Sequence, residues 1–275
     1  GLVPVGFIAL SIFMLVWLAV APTLTTRSAV QQQLREDALR TRGLRWWRLR
    51  RNLARAIADS RAQHVIVPST IVTKHFAHPS VRATHHLGAA LWVSSGLAQF
   101  CLSRDSSAAR KRHRAIGYIY LLSVVLLTVG FGLIVGKDLH VDNDFRHLFP
   151  EDVPPRSRVQ HAGTVAILCA MQSWFVFTAG KAWRAAVAKH YAEHRAWMVR
   201  HVGAGMWVSC MRLLGVVSMA LQRVHSHVTG SHLDGQGKLT AFAATGVAGV
   251  ILCIGGAEAY QSSPGGLRVR PHHAA

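Results

Sequence analysis

The sequence predicts an all-α, polytopic membrane protein with six transmembrane helices and a four-helix core. Of its 275 residues, 51% are hydrophobic and only 16% are charged, which is fewer charged residues than a soluble domain of this size carries. Six apolar runs reach or approach the roughly 20 residues that one helix needs to cross a bilayer. Histidines stand at or near the starting ends of the second to fifth runs, which indicates a shared function for the helices that they begin.

The six predicted spans alternate with polar segments, and these segments carry almost all of the net charge of +19. The spans comprise residues 2–21, 84–102, 115–136, 161–183, 198–221 and 239–259. They divide the chain into a first transmembrane helix (1–26), a basic extramembrane arm (27–80), a five-helix membrane domain (81–260) and a polar tail (261–275). The first run lacks a basic leading segment and a small-residue cleavage site, so we expect a retained helix rather than a signal peptide.

The arm contains a predicted basic amphipathic helix, in which apolar residues recur every three or four positions and form one face. A basic helix that also carries tryptophan is typical of membrane surfaces. We therefore predict that anionic lipids bind the arginines of this helix, which are Arg45, Arg48, Arg51 and Arg55. A solvated helix packed on a neighbouring subunit is the alternative. Nucleic acid is not an expected partner, because no sequence signature of a nucleic-acid-binding domain is present.

The loops indicate an orientation in the membrane. We call the side that holds the N-terminus side A and the opposite side B. The two short side-A loops, 104–114 and 184–195, are basic, whereas the side-B loop 137–160 carries five acidic residues. The positive-inside rule therefore favours side A as the cytoplasm or its organelle equivalent, although the basic arm lies on side B. We expect an organelle inner membrane, such as the mitochondrial one, or a bacterial plasma membrane.

The histidines of the second to fifth spans form two groups, because successive membrane helices alternate in direction. Two imidazoles at each of two depths in a four-helix core are what two bis-imidazole haems require. On side A, His113 would pair with His201 or His194. On side B, His161 would pair with His85, with His86 as the second choice. The sequence thus predicts up to two haem b groups, with these histidines as iron ligands and no catalytic residues.

Helical position refines the predicted ligands. Steps of three and four residues from His85 reach a small or polar stripe that suits the bundle interior, whereas those from His86 reach a lipid-like face. His201 lies about 10 Å deeper than His194. Arg212 lies two-thirds along the fifth span, towards side B, where a charge requires a partner. A haem propionate on side B would supply a counter-ion, and a lipid headgroup or a backbone carbonyl is the alternative.

The cysteines and two histidine-rich loops are weaker candidates for a functional site. The four cysteines are isolated inside spans and are typical of small core residues. Two side-B loops are rich in histidine and acid and could bind zinc or copper, but their irregular spacing is more typical of solvated loops. These residues are His140, Asp142, Asp144 and His147 in one loop and His225, His227, His232 and Asp234 in the other. No phosphate-binding loop or nucleophile triad is present.

Three stretches resemble the DUF2306 family of predicted membrane proteins, over roughly residues 80–222. They are His113–Tyr120 preceded by Arg110–Arg112, Glu193–Arg200 followed by Arg212 and Leu213, and His85–Gly88 with Gly96–Phe100. His194 matches this pattern better than His201, whereas His161 and the basic arm are not part of it. The family is largely uncharacterised, so the resemblance implies a membrane domain and little about activity. The layout of helices and histidines is separately similar to cytochrome b561.

The sequence therefore predicts a membrane b-type haem protein that carries electrons across the bilayer. If it is an enzyme, it is an oxidoreductase similar to cytochrome b561. The alternative is a non-catalytic accessory subunit of a large respiratory or photosynthetic membrane complex, without a cofactor, whose arm binds lipids and neighbouring subunits. A small-molecule transporter ranks third, because clear proline interruptions are absent from the spans.

Overall fold

The regular secondary structure is helical throughout the residues that the structure, a computed structural model, describes. These are residues 6–16, 75, 78–102, 105–140 and 152–262. Helix α1 comprises Gly6–Val16, and α2 runs from Pro79 to Cys101 with a π-helical turn at Arg82–His86. The remaining helices are α3 (Ser107–Gly136), α4 (Arg158–Val187), α5 (Tyr191–Thr229) and α6 (Gly235–Ser262), the last with a π-helical turn at Ile251–Gly255.

Four helices, α3 to α6, are long and apolar enough to cross a membrane. For the described residues, the prediction of an all-α protein with membrane-spanning helices is therefore confirmed. The number of six spans stays a prediction, because only residues 6–16 of the first predicted span are described, and the π turn interrupts α2. Helix α5 has 39 residues and is thus about 58 Å long, so it extends well beyond a bilayer core.

The long helices begin before the predicted spans because polar side chains cap them in the flanking loops. The Ser106 hydroxyl accepts a hydrogen bond from the backbone of Ala109 at 3.0 Å and starts α3. Ser157 and Gln160 form a capping box at the start of α4. The candidate histidines therefore lie inside helices, and their depth follows from their position along each helix.

The helices form a bundle in which α2 packs on α3, α3 on α4, α4 on α5, and α6 on the outer side of α5. Aromatic rings of α2, α3, α4 and α5 meet at the centre of the bundle. The Trp92 ring of α2 lies 5.9 Å from the Phe175 ring of α4, and the Tyr120 ring of α3 lies 5.5 Å from the His201 ring of α5. Because α2 packs on α3, α3 on α4 and α4 on α5, helix α2 lies opposite α4 and α3 lies opposite α5 around these rings.

Gly130 allows a close approach between α2 and α3. A Cβ atom at this position would lie 2.7 Å from the backbone nitrogen of His85 and 2.8 Å from its Cβ. Because Gly130 has no side chain, the backbone of α2 at His85 can pack directly against α3.

We expect Gly130→Ala to separate α2 from α3 and to destabilise the protein by about 1–3 kcal/mol, since the new methyl group meets backbone rather than a movable side chain. Thermal unfolding in detergent measures this effect. Gly132→Ala is the matched control, because a Cβ there meets no atom within 4 Å. Equal melting temperatures for the two variants would contradict the close approach.

An ion pair joins α5 to α6 towards side A. The Arg200 guanidinium donates two hydrogen bonds to the Glu258 carboxylate, at 2.7 and 2.9 Å, and stacks on the Trp197 ring at 4.9 Å. Glu258 thus pairs with Arg200, which precedes Arg212 by twelve residues on α5, so Glu258 lies far from the depth of Arg212.

Candidate functional site

His201 lies at the point where the four core helices meet, and its side chain is fully buried. Its ring is 4.4 Å from the Phe175 ring, 5.5 Å from the Tyr120 ring and 5.8 Å from the Trp92 ring, measured between centroids. Gly205, one turn along α5, makes room for the Trp92 indole, because a Cβ there would lie 2.5 Å from that ring. We call His201, Trp92, Tyr120 and Phe175 the central layer.

The hydrogen bonds of His201 define its tautomer. The indole nitrogen of Trp92 can only donate, and it donates to Nε2 of His201 at 3.1 Å. Nδ1 therefore carries the proton and donates to the Phe175 carbonyl at 3.0 Å, with the Thr178 hydroxyl at 3.2 Å. Both ring nitrogens are thus engaged within the protein, and three aromatic rings enclose the imidazole. This arrangement does not fit a haem ligand.

His113 and His194 lie at one depth on facing helices. His113 precedes Tyr120 by seven residues on α3, and His194 precedes His201 by seven residues on α5. Both helices run from side A to side B, so both histidines lie about 10 Å from the central layer towards side A. The structure therefore places His194, rather than His201, at the depth of His113.

The surroundings of these two side-A histidines suit ligands of a metal centre. Nδ1 of His194 donates to the Ala182 carbonyl of α4 at 2.8 Å, which leaves the lone pair on Nε2. The His113 side chain is half-buried, and its backbone carbonyl accepts a hydrogen bond from the Gln99 amide of α2 at 2.6 Å. Ligand histidines typically donate their second ring nitrogen to a carbonyl or carboxylate, as His194 does here.

On side B, His85 and His86 form a cluster with His75, a residue that the sequence analysis did not single out. The three ring centroids are 5.2–6.0 Å apart, and Nδ1 of His75 lies 3.0 Å from Nε2 of His86. Arg212 is close enough to interact electrostatically with both His85 and His86. Arg212 therefore lies near the side-B histidines of α2, whereas its predicted partner, a haem propionate, a headgroup or a carbonyl, stays a prediction.

His161 belongs to a second side-B cluster. Its Nδ1 lies 3.9 Å from the Asp138 carboxylate and 3.5 Å from the Arg156 guanidinium. His140, which is buried, bridges the same two groups, because its Nδ1 lies 3.1 Å from Asp138 and its Nε2 lies 2.9 Å from Arg156. Burial lowers the pKa of Arg156, and Asp138 opposes that shift. Asp138, His140 and His161 each offer one ligand atom, and these atoms lie within 4.8 Å of one another, so the group could hold a metal ion, with the Arg156 guanidinium as a neighbouring cation.

The structure does not bring His85 and His161 to one depth. His85 precedes Trp92 by seven residues and therefore lies about 10 Å from the central layer. His161 precedes Phe175 by fourteen residues on the facing helix and lies about 21 Å from the layer. A flat macrocycle between two axial ligands requires both ligands at one depth, so this pair does not fit a side-B haem.

Other predicted sites are tested only in part. The lipid-binding arginines Arg45, Arg48, Arg51 and Arg55, together with Asp142, Asp144 and His147, lie outside the described residues, and their roles stay predictions. The two side-B loops do meet, since the Asp152 carboxylate accepts a hydrogen bond from the Gly235 backbone at 2.8 Å. Asp234 caps α6, and His225 contacts Ser231, so these loop residues have local structural partners.

Sequence reasoning missed His75, Trp92 as a partner of His201, and the link between Asp138 and Arg156. The spacing of His75 and His78, before a helix that begins with two more histidines, is a local signal that could have indicated the first. The other contacts join residues that are far apart in the chain, for example Trp92 and His201, which are 109 positions apart. No pattern within one helix reveals them.

Comparisons with models of known protein families, with characterised proteins and with experimentally determined structures gave no significant match.

Proposed function

We propose that this chain is an integral membrane b-type haem protein that carries electrons, and that His113 and His194 hold its haem near side A. The observation that carries this proposal is the equal depth of the two imidazoles on facing helices of the four-helix core. Bis-imidazole ligation needs two such groups, one on each side of the macrocycle. The His194 bond to the Ala182 carbonyl supports the proposal further, because it orients that imidazole for ligation through Nε2.

Basic residues near this pair suit the propionates of a haem. Arg112 and Arg114 flank His113, and Arg195 follows His194; all three side chains are exposed. Arginine binds carboxylates through charge-assisted, often bidentate hydrogen bonds. The flanking arginines would thus hold the propionates at the side-A membrane surface, while the two imidazoles lie deeper towards the bundle.

The residues beyond the pair would separate it from side B. The central layer closes the middle of the bundle, and its aromatic rings exclude water from below the histidines. When bound, the haem supplies a one-electron carrier, whereas the protein contributes the orientation of the ligands and a partly buried environment that tunes the potential. We propose one haem rather than two, because His85 and His161 differ in depth by about 10 Å. Such a carrier belongs in an energy-converting membrane, either an organelle inner membrane or a bacterial plasma membrane.

Haem content tests this proposal. The full chain is expressed with ample haem, purified in detergent, and its haem b is quantified by pyridine extraction against protein concentration. We expect about one haem per chain, as bis-imidazole ligation by a single pair requires. A monodisperse, folded preparation without haem would contradict the proposal and favour the accessory-subunit alternative.

A further inference from the structure

The cluster formed by His75, His85, His86 and Arg212 contains a buried polar atom that needs explanation. Nδ1 of His85 is buried, and within the part of the chain that the structure describes it has no hydrogen-bond partner. Buried polar atoms without partners are rare in native proteins, and each requires an explanation, such as a bound water or ion. The π-helical turn Arg82–His86 holds His85 and His86, and such turns occur frequently at functional sites.

The charge around this atom selects the kind of ligand. The charged or titratable groups that act on His85 are His86, His75 and Arg212, and those that act on His86 are Arg212 and Arg82. All of these groups are either cationic or become cationic on protonation. A metal cation would therefore meet repulsion from two arginines, whereas an oxyanion would accept hydrogen bonds from guanidinium and imidazole N–H groups.

Depth places the cluster close to the headgroups of the side-B leaflet. Arg212 follows His201 by eleven residues and lies about 16 Å from the central layer. With the central layer taken as the middle of the bilayer, this distance is close to half the roughly 30 Å thickness of a hydrocarbon core. Arg82 and Leu87, which flank the histidines on α2, are exposed on the outer surface of the bundle, and His86 is half-buried. A group at the membrane surface therefore has a short path to the cluster.

We propose that Arg212, His85 and His86 bind a phosphate group at the side-B surface of the membrane. An anionic lipid headgroup and phosphate from solution share this chemistry. The Arg212 guanidinium offers paired N–H donors to the phosphate oxygens, and the protonated Nδ1 of His85 donates to a third oxygen. This site is separate from the proposed haem site, because it lies on the opposite side of the central layer and shares no residue with it.

Ligand-induced stabilisation of the full-length protein tests the site. Delipidated protein in detergent is titrated with phosphatidylglycerol and separately with inorganic phosphate, while the melting temperature is recorded. Phosphatidylcholine is the control lipid, because its own choline cation balances the charge of its phosphate. We expect phosphatidylglycerol or inorganic phosphate to stabilise the wild type more than phosphatidylcholine does, and whichever of the two acts identifies the source of the phosphate. Equal responses to all three additions would overturn the proposal.

Three variants locate the effect. Arg212→Gln and His85→Gln are expected to weaken the stabilising ligand roughly tenfold or more, since each loses a charged or buried hydrogen bond to the phosphate. His86→Gln removes the third proposed phosphate-binding side chain. Because His86 is half-buried, we expect this variant to fold. His227→Gln, at an exposed side-B position of α5, is the matched control and should bind like the wild type.

Two results would count against the phosphate site. Unchanged affinity in His86→Gln and in whichever other variants fold would overturn it. A stabilisation by Zn²⁺ that exceeds that by either phosphate source, and that His85→Gln abolishes, would identify a metal site instead. Haem content is measured in the same samples, so that failure of this site is distinguishable from failure of the proposed function.

Discussion

Replacing His194 by alanine is expected to remove most of the bound haem, and His113→Ala is expected to do the same. Each change deletes one axial imidazole. The loss in affinity should exceed the 10–100-fold that removal of an outer partner of a metal ligand costs. The measurement is the haem-to-protein ratio after purification, together with the ligand-sensitive bands of the visible spectrum.

His190→Ala is the matched control for these two variants. His190 lies on side A close to His194, and its side chain is exposed, with Nδ1 3.7 Å from the Glu193 carboxylate. It should keep the haem content of the wild type. Full haem content in both His113→Ala and His194→Ala would show that the side-A pair does not ligate iron.

His201→Leu is expected to destabilise the protein by about 2–5 kcal/mol and to leave the haem content unchanged. The substitution removes the acceptor of the Trp92 indole N–H and the donor to the Phe175 carbonyl, and each buried polar group left without a partner costs about 1–3 kcal/mol. Thermal unfolding in detergent measures the loss of stability.

The same variant distinguishes the two candidate side-A partners of His113. Loss of haem from His201→Leu, with melting unchanged, would make His201 the ligand and would require the Trp92 indole to move away from Nε2. Loss of stability with haem retained is the result that the hydrogen bonds of the central layer predict.

The helical architecture could be predicted from the sequence because apolar runs of about 20 residues alternate with charged loops. The end of the bundle at which each candidate histidine lies could also be predicted, since successive membrane helices alternate in direction. The ends of the helices were harder to predict from the sequence. Ser106 and Ser157 extend α3 and α4 beyond the apolar runs, so a histidine at the start of a run is not necessarily at the start of a helix.

The pairing of histidines depended on depth, which the sequence alone did not define. Depth has to be measured from a layer that all four helices share, and the sequence does not show where that layer lies. His161 and His113 each stand near the start of a predicted span, so the sequence assigns them similar depths. The contact between Trp92 and His201 locates that layer and separates the fourteen-residue offset of His161 from the seven-residue offset of His113. Residues 113 and 194 also carry the resemblance to the DUF2306 family, which stays a prediction.

The partners of isolated polar residues were the hardest to predict. Arg212 was expected near a haem propionate, a headgroup or a backbone carbonyl, and no pattern within one helix indicated that His85 and His86 would lie near it. The Asp138 carboxylate and the Arg156 guanidinium meet through His140 because α3 ends near the start of α4. These contacts arise from tertiary packing, and local periodicity contains no information about them.

The difference between the dithionite-reduced and the oxidised visible spectrum of the detergent-purified full chain tests the central claim most directly. The account predicts a Soret band in the oxidised protein and a sharp α band on reduction, as low-spin b-type haem with two imidazole ligands gives. The α band should disappear in His194→Ala and persist in His190→Ala and His201→Leu. A spectrum without a Soret band, from folded protein made with ample haem, would contradict the claim.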